Sequence, residues 1–387
     1  MTEAVERIVI RESPLNDTHA RLGATMTVRD GWSVPANYGD VLFEYAAVRE
    51  RGAGAIDLSS RGRIFVGGSE AVQFLNGLIT NDMKSLAEGT WMPAAFPNVQ
   101  GRLVASVRVV RLKDETTDEN VCPVFLIDTE AVTHERVLKT IERFTLAGDF
   151  RVSDITSETA LISVQGKNAV DVVQSVLGAE AVGQPANGVT NISWRQPQVT
   201  GDVTVIRASH TAEDGFDLVV KADQAGSLWS ALQDAAARPV GYDAFDILRI
   251  EAGLPRYGVD MDDTNVVTET ALDDAVSYTK GCYVGQEIIA RIKYRGHVAK
   301  KLAGLVFVQA VKVEGNSTIK STDDKDIGRV TSVTYSPHLG RTIALGYLKY
   351  DYLAAGTNVK INSGVEEFQA EVIELPFVQV EPGSLLA

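Results

Sequence analysis

Cysteine is nearly absent from this chain of 387 residues: it has two, Cys122 and Cys282, and no Cys-x-x-Cys pair. That excludes a disulfide framework and a cysteine-rich zinc site, and it fits a reducing cytoplasm. Apolar runs long enough to span a bilayer are also missing. The first residues, MTEAVERIVIRESP, lack the basic start and apolar core of a secretory leader. No Gly-x-Gly-x-x-Gly or Walker pattern occurs, which removes the common phosphate-cradling loops. Positive charge is in deficit, 37 Lys and Arg against 51 Asp and Glu, for a net charge of −14. A nucleic-acid backbone would be repelled on average, although a local basic patch could still bind one, so nucleic acid is not the expected partner, and without a spanning run neither is a membrane. No serine lies in a nucleophile elbow, and a nucleophilic Cys282 with His297 as base is possible by composition alone.

What is present reads as globular, at 45% hydrophobic and 23% charged residues, with length for two or three units. The strand–glycine–helix stretch IFVGGSEAVQFL at 64–75 parallels ISVQGKNAVDVV at 162–173. VFLIDTEAV and FDLVVKADQAG also correspond, and each leads into a helix. The expectation is two related α+β halves, at about 55–150 and 155–250. Before them, Asp40 is placed to cap a helix with Leu42, Tyr45, Ala46 and Val48 on one face. Asn98–Gly101 reads as a hairpin turn, followed by a strand whose alternating face is Leu103, Ala105, Val107 and Val109. GYDAFDILRIEAG reads as a helix. After Lys301 short β runs follow one another (LAGLVFV, IGRVTSVTYS, TIALGYLKY, FQAEVIEL), which predicts a small all-β barrel. The fold class is therefore α+β, with a body over 1–299 and a barrel domain over 300–387. Cys122, in VCPVFLID, reads as a buried strand residue. Asp260, Asp262, Asp263, Asp273 and Asp274 lack EF-hand spacing and read as solvated turn residues and caps, so no metal is expected.

The stretch richest in chemistry is Lys280-Gly281-Cys282-Tyr283-Val284-Gly285-Gln286-Glu287. QEIIARI reads as a helix with Gly285 at or before its start. A thiol just ahead of a helix N-terminus, with Lys280 beside it, is favoured as thiolate. Directly after come Arg291, Lys293, Arg295, His297, Lys300 and Lys301, a basic patch on an acidic chain. It suits an anion, such as a polyglutamate tail or an acidic partner.

KGCYVGQE resembles the signature of the YgfZ family, folate-binding proteins implicated in maturing iron–sulfur enzymes, within the larger glycine-cleavage T-protein (aminomethyltransferase) group. RIEAGLPRYG, the Pro-Leu…His, Gly-Trp and Tyr-Gly pattern of the first forty residues, and IGRVTSVTYSPHLGRTIALGYL are similar to the T-protein, so the likeness covers nearly the whole chain. The resemblance implies a ring-shaped, three-domain body with a central tetrahydrofolate pocket. It places Glu251 on the pterin, since a carboxylate can accept both the amino group and the ring N–H. It places Asn98 on the same ring, with Tyr283, Gln286 and Arg291 completing the folate site. Cys282 and Lys280 would be the reactive pair, for redox, sulfur or cluster chemistry, and the partners would be iron–sulfur enzymes or their assembly proteins. One departure stands out. The T-protein pattern is Asn-x-x-Gly-Gly with two aspartates four and five residues after the first glycine. Here Arg102 replaces the second glycine, and Ala105 and Ser106 hold the aspartate positions. The alternative reading is a folate-dependent aminomethyltransferase working with a lipoyl carrier protein, or a methyltransferase acting on a small methylated substrate. A protein-interaction scaffold without a small ligand is a third.

Overall fold

The repeat in the sequence becomes two sheets of matching connectivity. In the computed structural model the described residues are 9–379, apart from 51, 117–120, 147 and 197–198. A three-stranded sheet comes first: Arg11–Glu12 (β1), Thr25–Arg29 (β2) and Trp32–Asn37 (β3), with Asn16–Arg21 (α1) between β1 and β2. Asp40 then caps Val41–Arg49 (α2), its carboxylate accepting from Leu42 N and Phe43 N at 3.0 and 3.1 Å. Tyr45 and Val48 face inward, whereas Leu42 is 57% exposed.

Gly54–Asp57 (β4) leads to the first half. That half contains Gly62–Gly67 (β5), Ala71–Leu78 (α3), Thr90–Pro97 (β6), Leu103–Arg111 (β7), the ribbon Glu115–Thr116 (β8) with Val121–Cys122 (β9), Val124–Thr129 (β10) and Ala131–Glu142 (α4). Arg151–Asp154 (β11) leads to the second. That half contains Thr159–Gln165 (β12), Ala169–Leu177 (α5), Val189–Gln196 (β13), Val199–Arg207 (β14), Gly215–Lys221 (β15) and Ala225–Asp234 (α6). Arg238–Pro239 (β16) and Tyr242–Glu251 (α7) close the body. The neighbours run β5-β10-β7-β6 in one sheet and β12-β15-β14-β13 in the other, all antiparallel. The halves are also exchanged at their edges: β4, from ahead of the first half, pairs with β12, and β11, from ahead of the second, pairs with β5.

Each sheet buries one face under its own helices. Val107 and Val109 pack with Leu75 and Val137, and Val203 and Val205 pack with Val173 and Leu228. The other faces meet across a shared core that joins Val110 and Leu126 to Leu161, Ile206 and Val219. Cys122 is half-buried at the end of β9, not inside a core strand as its apolar neighbours suggested; Pro123, which has no N–H to donate, separates it from β10.

Gln286–Arg295 (α8) precedes the barrel. Lys300–Phe307 (β17), Thr318–Ser321 (β18), Asp326–Ser336 (β19), Arg341–Lys349 (β20), Asn358–Ser363 (β21) and Glu366–Ile373 (β22) close in the order β17-β20-β19-β18-β21-β22. Closure leaves no open edge. The barrel docks on α7, where Ile250 packs with Leu302, Ile343 and Leu345. Among the described residues no helix is long and apolar enough to cross a membrane.

Candidate functional site

A strand sends alternate side chains to opposite faces. On β7 this sends Ala105 into the helix-covered core and Ser106 and Arg108 to the inner face, where a cavity opens. Trp91 of β6, Asp128 of β10, His210 of the loop before β15, and Tyr242 and Phe245 of α7 share its wall. Of the two positions where the T-protein pattern carries aspartate, Ser106 is therefore the one that reaches the cavity.

The wall is a chain of opposed charges. Arg108 Nη2 lies 2.8 Å from Asp128 Oδ2 and 2.7 Å from Asp217 Oδ2. Arg61 pairs with Asp128 at 2.7 Å and with Glu130 at 2.9 Å. His210 Nε2 meets Asp217 Oδ2 at 2.8 Å. Burial alone would raise the Asp217 carboxyl, but the charges of His210 and Arg108 and the His210 hydrogen bond outweigh it and hold the group well below the usual carboxylate range. Asp128 is lowered in the same way, burial being outweighed by Arg61 and Arg108. Arg108 is 7% exposed, yet its Nε and Nη1 have no hydrogen-bond partner among the described residues. Its guanidinium carbon sits 5.6 Å from the Trp91 ring centroid. Across the cavity Arg29 pairs with Asp246 and stands 4.8 Å over the Tyr242 ring, whose hydroxyl contacts Ser60 Oγ at 3.1 Å.

None of the residues expected from the motifs lines this cavity. Glu251 is fully buried at the end of α7. Tyr45 OH donates to both its oxygens (2.8 and 3.0 Å), Arg49 Nη2 to Oε2 (2.8 Å) and Ser336 Oγ to Oε1 (2.5 Å). The pterin contact expected of it would require this network to open, because its acceptor positions are taken up in joining α2, α7 and β19. Asn98 is likewise spent locally: its Oδ1 accepts from Gln100 N and Arg102 N at 2.9 and 3.0 Å, shaping the β6–β7 turn.

The KGCYVGQE loop folds onto that turn. Gly285 has φ +76°, and a Cβ there would lie 2.3 Å from Asn98 O, so glycine is required. Lys280 is buried and donates to the carbonyls of Asn76, Ile79 and Asn81 at 2.8, 3.0 and 2.6 Å, which satisfies the C-terminal end of α3. Burial pulls its amine down to about 8, against the charge of Asp82. Its three donors are thus spent as a clamp and not on the thiol. Tyr283 is buried with Leu103, Val267 and Ile289, and burial together with Tyr278 pushes its phenol up to about 12. Gln286 is half-buried at the first turn of α8. Cys282 and Arg291 are exposed. Cys282 has no side-chain hydrogen bond among the described residues, and His297, the candidate base, stacks on Tyr350 with ring centroids 3.9 Å apart. Of the acidic cluster, Asp260 departs from the solvated reading. It is fully buried, pairs with Arg249 at 2.6 Å and accepts from Thr331 Oγ1 at 2.6 Å.

The residues that make the cavity were missed in the sequence, although a signal existed. LVASVRVV, VFLIDT and GFDLVV each carry one charged residue inside an apolar strand: Arg108, Asp128 and Asp217. A lone charge in such a run must find a counter-charge.

With this geometry in place, similarity to known proteins follows the same outline. Residues 15–280 match the GCVT N-terminal domain family, and residues 300–379 match the glycine cleavage T-protein C-terminal barrel domain. An aminomethyltransferase of Rubrobacter xylanophilus is 32% identical over 382 residues, covering 97% of this chain and 96% of that one. One of Thermotoga neapolitana is 29% identical over 374 residues, covering 95% and 98%. The crystal structure of glycine cleavage system aminomethyltransferase T from Bartonella henselae shares the fold, with a TM-score of 0.84 at 24% identity over 96% of this chain and 98% of that one. With a domain match on the body and another on the barrel, this chain belongs to the glycine-cleavage T-protein family.

Proposed function

We propose that the chain binds tetrahydrofolate in the cavity between its two sheets and works as a folate-dependent aminomethyl- or methyltransferase. The observation that carries this is Arg108, buried in the wall with Nε and Nη1 unmatched beside the face of Trp91. Buried donors without partners are unfavourable by about 1–3 kcal/mol each. A planar ligand with acceptor atoms relieves that cost and stacks on the indole. The pterin ring fits this description, with Trp91, Tyr242 and Phe245 as its walls and Arg108 as its donor. Bound there, tetrahydrofolate supplies the amine nitrogen that takes up the one-carbon unit. The chain's own residues orient it and keep water out, and the Ser106 hydroxyl offers a neutral hydrogen-bonding group where the T-protein pattern has a carboxylate. The full-length likeness to proteins called aminomethyltransferase supports this reading. A lipoyl carrier protein is the matching donor partner, and the exposed Arg291, Lys293 and Arg295 suit an acidic surface or a polyglutamate tail.

The test is anaerobic calorimetry with tetrahydrofolate on the wild type, Arg108→Met and Cys282→Ser. Binding that weakens in Arg108→Met and persists in Cys282→Ser supports the reading. A wild type that fails to bind overturns it.

A second reading rests on Cys282. Its exposed thiol, on a loop clamped by Lys280, suits a YgfZ-type role in maintaining iron–sulfur enzymes together with their assembly proteins, in a cytoplasm reducing enough to keep the thiol free. Loss of iron–sulfur enzyme activity in a deletion strain, restored by the wild type but not by Cys282→Ser, supports it. Equal restoration by both overturns the role of the thiol.

A further inference from the structure

We infer that His210 is the proton acceptor of the central cavity, taking a proton on Nδ1 from an N–H of the bound ligand while Asp217 holds the ring. This rests on the folate reading and deepens it.

Four observations lead there. First, the carboxylates Asp128, Glu130 and Asp246 on the cavity wall are ion-paired with Arg61, Arg108, Arg29 or Arg249, and a carboxylate so paired is a weak base. Second, the Ser106 hydroxyl cannot carry the negative charge that its T-protein counterpart position supplies. Third, His210 lines the cavity, and its two ring nitrogens are differently placed. Nε2 faces Asp217 Oδ2 at 2.8 Å, and a carboxylate can only accept, so the proton of the neutral ring sits on Nε2. Nδ1 therefore keeps its lone pair, and it has no hydrogen-bond partner among the described residues. Fourth, Asp217 is fully buried between His210 and Arg108, which fixes it behind the ring. This is the geometry of a base oriented by a third group.

In the step itself, the ligand nitrogen uses its lone pair to bond the incoming one-carbon unit while the donor's leaving group departs with the electrons of its own bond, and the N–H bond of the resulting cationic nitrogen then breaks with its electron pair left on nitrogen. The Nδ1 lone pair forms the new N–H bond. The ring becomes imidazolium beside the Asp217 carboxylate, so the charge of the pair goes from −1 to 0. Asp217 is a positioning residue. Asp30, at the tip of the β2–β3 hairpin, is the rival, because it also lines the cavity and has no ion pair among the described residues.

The experiment uses the full chain, labelled with 15N in its histidine rings, with tetrahydrofolate under anaerobic conditions. His210→Gln assigns the resonances. The expected wild-type spectrum has Nε2 protonated and Nδ1 bare, with the Nδ1 signal displaced when tetrahydrofolate is added. Turnover is read in parallel with an aminomethyl-loaded lipoyl carrier protein as donor. His210→Ala is expected to lower kcat by about 10²–10⁴-fold with KM nearly unchanged. Added imidazole should restore part of that loss, which a purely structural role would not allow, and Asp217→Asn should lose the Nε2-protonated signature as well as rate. An Nδ1 signal indifferent to bound tetrahydrofolate overturns the inference. So does full turnover in His210→Gln, or a loss confined to Asp30→Asn. A wild type that binds tetrahydrofolate with the Nδ1 displacement but turns nothing over overturns the transferase reading and supports the contact. A wild type that does not bind overturns both.

Discussion

Arg108 of the first half stands 2.7 Å from Asp217 of the second, and its other carboxylate partner, Asp128, belongs to its own sheet. One guanidinium thus holds two fully buried acids together across the meeting of the halves. Arg108→Met should leave Asp128 with Arg61 alone and Asp217 with His210 alone, and break the link between them. The expected loss is about 3–5 kcal/mol of unfolding free energy, read as a lower urea midpoint at unchanged slope.

The same acids set the response to pH. Asp128 and Asp217 titrate below the ordinary value of 3.8 in the folded protein. Their contribution is therefore complete above that value and is lost as pH falls below it toward their folded values, where the unfolded chain binds more protons. The melting temperature should drop steeply under about pH 4. Asp217→Asn should start lower and show a shallower acid limb.

Glu251→Ala should loosen the seat of the barrel rather than empty the cavity. It removes the acceptor of Tyr45 and Ser336 and leaves the buried Arg49 with Glu213 as its one remaining carboxylate among the described residues. The expected cost is about 3–5 kcal/mol, with faster proteolysis between α8 and β17 and unchanged tetrahydrofolate affinity for the protein that remains folded. Intact stability with lost affinity would return Glu251 to the pterin.

Adjacent residues on β7 should behave in opposite ways. Ala105 is fully buried in the helix-covered core, so Ala105→Asp should prevent folding or lower the melting temperature sharply. Ser106→Asp faces the cavity and should fold normally. It should also raise aminomethyl transfer by restoring a carboxylate, as measured by turnover of both variants.

Lys280→Met leaves three carbonyls at the end of α3 without their donor. It should destabilise the protein and speed hydrogen exchange in the KGCYVGQE loop. The folded amine titrates near 8 against 10.5 when unfolded, so between these values the unfolded chain binds more protons. Wild-type stability relative to Lys280→Met should therefore rise from pH 8 to 10.5. A flat difference across that range would count against the shifted amine.

Much of the fold could be read from residues because its signals are local. Asp40 as a cap, the turn at Asn98–Gly101, the start of α8 at Gly285 and the short β runs after Lys301 each depend on neighbours within a few positions. The paired stretches at 64–75 and 162–173 exposed the duplication for the same reason. The site was less legible because its contacts are not local. Glu251 looks free in RIEAG until Tyr45 and Ser336 arrive from more than eighty residues away in either direction. Lys280 looks poised for Cys282 until its ammonium finds the carbonyls at the end of α3. Arg108 was legible as a strand residue, but nothing near it in the chain announces Asp217.

The edge exchange between the halves sets a timetable. β4 leaves the ribosome before the first half, yet its partner β12 is more than a hundred residues behind it. At a synthesis rate of about 5–20 residues per second, β4 must wait roughly 5–20 s with its hydrogen-bonding edge unclaimed. The first half, which closes only when β11 emerges, shares that interval. A nascent chain stalled just before β11 would leave β4 without its partner and the first-half sheet with its β5 edge open at the same time, and open strand edges of that kind pair with other chains.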